Sequence, residues 1–258
     1  MSPFWIDGMQ AELTPEQIEL FNPANPETSG VFESLRTYNG KIFKMDQHLA
    51  RLQNSADMLG FALPAPLEKI ATFLKQSVQG ATGELRVKCV ATTEHIFVQA
   101  TPLVIDPRIY QGVSAASFRV TRDMPQAKAL PYNVSFEAHA FAESQGTFEA
   151  ILVDEEGFVT EGAYSNIFWV KNGTIFTRSE GVLEGITRAA ILEQNPVEFQ
   201  KITLEELQEA DEVFLTKTTT GPVPIIQVNG ARIGSGEPGP FTKAVHERFD
   251  ESTDPIIR

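Results

Sequence analysis

The sequence predicts an α+β fold, mixed α/β in layout and organised as two domains. Three observations lead there. Apolar runs bounded by Asn-Gly and Glu-Gly turns read as hairpin strands, amphipathic runs between them read as helices, and one proline-containing stretch without periodicity interrupts the pattern. A chain of 258 residues is also long enough to fill two cores.

Residues 1–104 form the smaller N-terminal α/β domain in this reading. PFWIDG is a short strand entering a turn, and GVFESLRTYNGKIFKM gives two strands joined at Asn39-Gly40, a pair suited to a type I′ turn. In DQHLARLQNSADMLGF, Leu49, Leu52, Ala56 and Leu59 share a helical face, with Asp46 as the expected N-cap and Gly60 as the stop. His48, Arg51 and Ser55 run beside that apolar stripe as a polar flank. APLEKIATFLKQSVQ is a second helix, and ELRVKCVAT and HIFVQATPLVI are strands. IDPRIYQGV carries Pro107, so residues 105–112 read as the interdomain linker.

Residues 113–258 form the larger C-terminal domain. It opens with the strand SAASFRVT, the segment around Lys128 and a helix through SFEAHAFAES that stops at Gly146. A strand meander follows, turning at Glu156-Gly157 and Asn172-Gly173, then short helices in GITRAAILEQ and ITLEELQEA. EVFLTKTTTGPVPIIQVNGARIG supplies a strand, a threonine-rich loop and a hairpin.

Composition narrows the function classes. A formal net charge of −13, from 34 acidic and 21 basic residues, disfavours nucleic acid or anionic membrane as partner through long-range repulsion. The single cysteine, Cys89, has no second thiol for a disulfide, so a reducing, cytoplasmic setting is expected. No segment has the apolar length of a membrane span, and four scattered histidines offer no metal-binding spacing.

Cations and hydroxyls gather where helices and loops meet. EGITRAAIL sets Gly185, Ile186 and Thr187 at a helix start, where free N–H groups and the helix dipole favour a phosphate; a threonine N-cap is the plainer alternative. TKTTTGPVP presents Thr218 and Thr219 before a glycine, suited to phosphate oxygens or simply a polar turn. Arg51 suits bidentate phosphate binding, although most such arginines are solvated. Glu161 would ordinarily be an exposed turn residue; if buried, it needs a cationic or protonated partner. Lys128, between two alanines, is a candidate base or nucleophile. Together these groups suit pyridoxal phosphate.

The motifs GVFESLRTYNGKIFKMDQHLARLQNSA, AILVDEEGFVTEGAYSNIFWVKNGTIFT, VLEGITRAAIL and DEVFLTKTTTGPVPI resemble, in order and spacing, those of the class IV aminotransferases, pyridoxal phosphate enzymes of fold type IV. The resemblance implies a two-domain enzyme with the cofactor in an interdomain cleft, and a homodimer. It implies that Lys128 forms the internal aldimine and shuttles a proton. Glu161 would pair with the pyridine nitrogen, keeping the ring an electron sink. Arg51, Ile186, Thr187 and Thr218 would hold the phosphate, with Thr219 facing the substrate carboxylate or the phosphate. Tyr132 resembles a tyrosine that follows the lysine in branched-chain enzymes, with one residue fewer between them.

Three readings follow. The first is an aminotransferase acting between an amino acid and a 2-oxo acid. The second is a 4-amino-4-deoxychorismate lyase releasing pyruvate and 4-aminobenzoate, which Ser34 supports by supplying a hydroxyl where lyases carry a threonine. The third is a non-catalytic member that only binds a phosphorylated ligand; Lys128 and Glu161 argue against it. The strand LRVKCVATTEHIFV lacks the family's arginine loops, so the group that receives the substrate carboxylate stays unassigned, with Arg86 the basic residue considered.

Overall fold

A computed structural model describes residues 3–22 and 25–257, with side-chain burial described as far as residue 253. The chain divides into two compact units: Met1–Val104 with Ala127–Asn133 and Thr253–Arg258, and Ile105–Gln126 with Val134–Ser252.

The first unit is an antiparallel sheet backed by helices. Its elements are β1 (Phe4–Ile6), β2 (Met9–Ala11), α1 (Pro15–Glu19), β3 (Gly30–Tyr38), β4 (Lys41–Ile42), α2 (Met45–Leu59), α3 (Leu67–Val78), β5 (Leu85–Ala91) and β6 (Ile96–Pro102). The strands lie in the order β2-β1-β6-β5-β3-β4. Asn39 and Gly40 both take positive φ, 48° and 74°, the conformation a type I′ turn requires. The period-2 alternation sends Val31, Leu35, Val87, Cys89 and Val98 to one face, where they pack with Leu52, Ala56, Ile70 and Leu74 of α2 and α3. Cys89 is fully buried there, and burial with the Glu33 charge pushes its thiol up to about 12, so it serves as packing.

α2 ends at Gly60 with φ 77°, a left-handed C-cap as the sequence suggested. Its start differs from expectation. The chain leaves the hairpin through Lys44 in the left-handed conformation, so the helix begins at Met45 and no side chain caps it. Asp46 therefore lies in the first turn, where its charge complements the helix dipole instead of capping.

The second unit carries a mixed sheet. Its elements are β7 (Val113–Arg119), α4 (Asn133–Ser144), β9 (Glu149–Val153), β10 (Val159–Gly162), β11 (Asn166–Lys171), β12 (Thr174–Thr177), α5 (Ile186–Gln194), β13 (Val197–Phe199), α6 (Leu204–Gln208), β14 (Glu212–Lys217), β15 (Gly221–Val228), β16 (Ala231–Arg232) and α7 (Pro240–Ile257). Strand order is β10-β9-β7-β15-β14-β11-β12-β13, with β16 pairing β15. Phe168 and Phe214, directly opposite on β11 and β14, stack with centroids 4.9 Å apart, a cross-strand pair fully withdrawn from water. One face of α4 is small: Ala138 and Ala142 pack on Ala150, Leu152 and Ala163, which lets the helix lie close to the sheet.

Two expectations about the boundary change. The stretch read as a linker holds a 3₁₀ helix, Pro107–Gln111, within the second unit, and its Tyr110 hydroxyl donates to the Thr220 carbonyl at 2.8 Å. Lys128, assigned by sequence to the C-terminal domain, belongs to the first unit. The reason is a two-residue strand, β8 (Ala129–Leu130), that pairs with Gly30 and Val31 of β3.

Candidate active site

In the first unit the polar flank of α2 is buried. Glu33 sits on the core face of β3 at 2% exposure and meets that flank directly. Arg51 donates to it through Nε at 2.7 Å and Nη2 at 2.8 Å, and His48 Nδ1 lies 2.7 Å from its Oε2. Burial alone would raise the Glu33 carboxyl, but Arg51 and His48 outweigh it and hold the group at about 2. Burial likewise pushes His48 down, against the pull of Glu33. Because ionised Glu33 only accepts, a neutral His48 must carry its proton on Nδ1.

The same helix face reaches Lys128. Ser55 Oγ donates to the Arg51 carbonyl at 2.8 Å and accepts the Lys128 N–H at 3.0 Å, while the Lys128 carbonyl accepts from the Phe32 N–H at 2.9 Å. The Lys128 backbone is thus tied to α2 on one side and β3 on the other. Its ammonium lies 4.5 Å from the Phe32 ring centroid and 5.4 Å from that of Tyr132, and the two rings meet edge to face at 5.1 Å. Ser34, two residues along β3 from Phe32, is on the same sheet face. Arg51, Lys128, Tyr132 and Ser34 are therefore gathered in one unit.

The second unit holds the others. Glu161, on β10, is 3% exposed, so the condition set by the sequence reading applies. Its cationic partner is Arg122, whose Nη1 is 2.5 Å from Oε1; Oε2 accepts the Leu183 N–H at 2.9 Å. Leu183 is itself fixed through its carbonyl, which accepts from Asn166 Nδ2 at 2.8 Å. Gly185 then caps α5 without any side-chain bond, leaving Ile186 and Thr187 in the first turn, and both are buried. Thr187 is not the N-cap of the plainer reading; it lies inside the helix. Asn166 faces Thr216 across the β11–β14 pair, two residues before Thr218 and three before Thr219. Glu161, the start of α5 and the threonine loop are linked through Asn166 and its strand neighbour.

Two glycines make this linkage possible. A Cβ on Gly162 would stand 2.0 Å from Ser165 Oγ, and one on Gly185 would stand 2.0 Å from Asn166 Oδ1. Gly185→Ala should displace Asn166, then Leu183 and the N–H it gives Glu161. We expect a destabilisation of about 1–3 kcal/mol by overpacking, measured by urea unfolding.

Sequence reasoning missed Arg122 and the Glu33 network. Arg122 lies in an irregular stretch where no periodicity marks it. For Glu33 a signal existed: His48, Arg51 and Ser55 at spacings of three and four form one stripe, and an acid on the adjoining strand completes it. A third buried pair was also missed, Lys217 with Glu149 at 2.8 Å, which holds that carboxyl at about 2 although burial opposes it.

Residues 30–228 match the family described as amino-transferase class IV, and the chain belongs to that family. D-alanine aminotransferase of Bacillus licheniformis is 34% identical over 249 residues, covering 86% of this chain and 87% of the relative. A solved putative branched-chain amino acid aminotransferase of Thermotoga maritima superposes with TM-score 0.86 at 30% identity, covering 96% of this chain and 94% of the other. The T.th. branched-chain amino acid aminotransferase, solved with pyridoxamine 5'-phosphate, gives TM-score 0.84 at 25% identity, covering 99% of this chain and 95% of the other. The fold type IV expectation holds, and the chain is an aminotransferase-class enzyme, which removes the non-catalytic reading.

Proposed function

We propose that this enzyme transfers an amino group between an amino acid and a 2-oxo acid with pyridoxal 5'-phosphate as cofactor and Lys128 as its reacting amine. The observation that carries this is the setting of Lys128: a backbone fixed on both sides by Ser55 and Phe32, and an ammonium held against two aromatic rings. Such an amine is oriented and sheltered, as proton transfer by a lysine requires.

The donor set of the second unit fits the cofactor. Ser165 Oγ and Thr216 Oγ1 are buried hydroxyls without a hydrogen-bond partner, and the first turn of α5 has no side-chain cap, which suits an anion. Ile186, Thr187, Thr218 and Thr219, with Arg51, would hold the phosphate, and Glu161 the pyridine nitrogen. When bound, pyridoxal phosphate supplies an electron sink for the charge that develops at the substrate Cα. The chain's residues do the rest. Lys128 moves a proton to and from that carbon; Glu161, paired with Arg122, holds a proton at the ring nitrogen; Tyr132, edge to face with Phe32, shelters the Lys128 amine.

One observation favours the lyase as the second reading: the Ser34 hydroxyl lies on the sheet face of Phe32, where a proton donor to a leaving group would be useful. Amino exchange with 2-oxoglutarate, assayed beside pyruvate and 4-aminobenzoate release from aminodeoxychorismate, separates them. Exchange without elimination is the expected result; elimination alone would reverse the assignment. We further read the enzyme as a homodimer, to be checked by sedimentation, and as cytoplasmic. The buried single cysteine supports that location, and among the described residues no helix is long and apolar enough to cross a membrane.

A further inference from the structure

The first unit carries a second partly buried lysine on the sheet face of Phe32. Lys88 of β5 stands directly opposite Ser34 of β3 in the antiparallel register, so their side chains share that face. Its ammonium donates to the Phe21 carbonyl at 2.8 Å and lies 5.3 Å from the Phe21 ring and 5.6 Å from the Phe32 ring. Phe32 is the ring that Lys128 approaches at 4.5 Å. Two amines thus approach one aromatic side chain.

What Lys88 lacks is an anion. Arg51, Arg122, Arg178 and Lys217 each meet a carboxylate, in a chain that carries an excess of 13 negative charges. Among the described residues none reaches Lys88; its charged neighbour is Arg86, of like sign. Burial, reinforced by Arg86, lowers its ammonium to about 8. A neutral donor would serve the Phe21 carbonyl without desolvating a charge, and that one bond uses one of three N–H groups. A withdrawn cation with donors to spare is the setting in which an incoming carboxylate binds well.

We propose that Lys88 binds a carboxylate of the amino acid or 2-oxo acid substrate, with Ser34 opposite it on the neighbouring strand and the Phe32 ring near both lysines. The proposal rests on the aminotransferase reading and supplies the carboxylate-binding group that the sequence left unassigned. It makes Lys88 a substrate-binding residue with no part in proton transfer.

The test uses cofactor-loaded enzyme and the variants Lys88→Met, Lys88→Gln and Lys88→Arg. Each is assayed with monocarboxylic and dicarboxylic 2-oxo acids, and in a single-turnover half-reaction with a primary amine that has no carboxylate. Direct binding of unreactive propionate and glutarate, titrated by calorimetry, gives a readout independent of turnover. Lys88→Met should raise KM and these dissociation constants by about 10- to 100-fold, the loss of a hydrogen bond to a charged group. The amine half-reaction and cofactor content should not change, and Lys88→Arg should recover most of the binding. A rise for every acid assigns the α-carboxylate, and a rise for dicarboxylic acids alone assigns the distal one; either upholds the proposal. Unchanged KM values, or an equal loss with the amine, overturns it. Should Lys88→Met not fold, Lys88→Gln, which can still donate to Phe21, decides by the same criteria. Failure of the underlying reading appears elsewhere, as wild-type protein that takes up no cofactor and exchanges no amino group.

Discussion

Lys128→Ala is expected to lower amino-group transfer by at least about 10³-fold, within the range that positioned acid–base groups supply, while leaving the protein folded. The structure separates the two effects. The segment around residue 128 is anchored through backbone: its N–H donates to Ser55, its carbonyl accepts from Phe32, and β8 pairs with β3 through Ala129 and Leu130. Alanine keeps all of these. It removes the ammonium over Phe32 and Tyr132, whose cation–π contribution to stability is about 1 kcal/mol. Cofactor should still bind, through the phosphate donors, but borohydride reduction should no longer fix it to the chain. Peptide mapping after reduction of the wild type adds a sharper check, because Lys88 flanks the same ring. Label at Lys128 alone is expected; label at Lys88 would exchange the roles of the two lysines.

How much of this was readable in the sequence varies with how local the determinant is. The Asn39-Gly40 turn, the Gly60 stop and the apolar stripe of α2 follow from backbone preference and period, which a sequence displays directly. The return of residues 127–133 to the first unit does not, because β8 is two residues long and exists through its pairing with β3. Site residues divide the same way. Lys128 and Glu161 were singled out as candidates through ordered motifs, whereas Arg122 was not, since its pairing is with a carboxylate 39 positions away. Lys88 was passed over because strand alternation gives only its face. That it has a carbonyl and two rings for company, and no acid among the described residues, is a property of the packed chain. Residues defined by what surrounds them are legible after folding, those defined by local period before it.

Glu33→Ala should be the most damaging change to stability, by about 3–5 kcal/mol, the cost of leaving buried charge without its partner. Glu33 accepts from two side chains of α2, and its loss would take the carboxylate from the Arg51 guanidinium and from His48 Nδ1 between helix and sheet. Urea unfolding at pH 7 measures the effect, and Glu33→Gln, which restores one acceptor oxygen, should recover part of it. The pH dependence supplies an independent signature. Glu33 titrates at about 2 in the folded protein and near the ordinary glutamate value when unfolded. Its contribution is therefore complete above that ordinary value and is lost as pH falls toward 2, where the unfolded chain takes up the proton first. His48, lowered by burial, acts at a higher pH. Below the ordinary histidine value the unfolded chain binds a proton that the folded state resists, so stability declines there too. Glu33→Ala should abolish the lower limb. It should also deepen the decline due to His48, since the carboxylate that raises this histidine is gone while Arg51 and Lys128 still oppose its charge. A stability curve for Glu33→Ala that parallels the wild type from pH 7 to pH 3 would show that the pair does not carry the coupling between α2 and β3. Arg51 would then be held in place by other contacts.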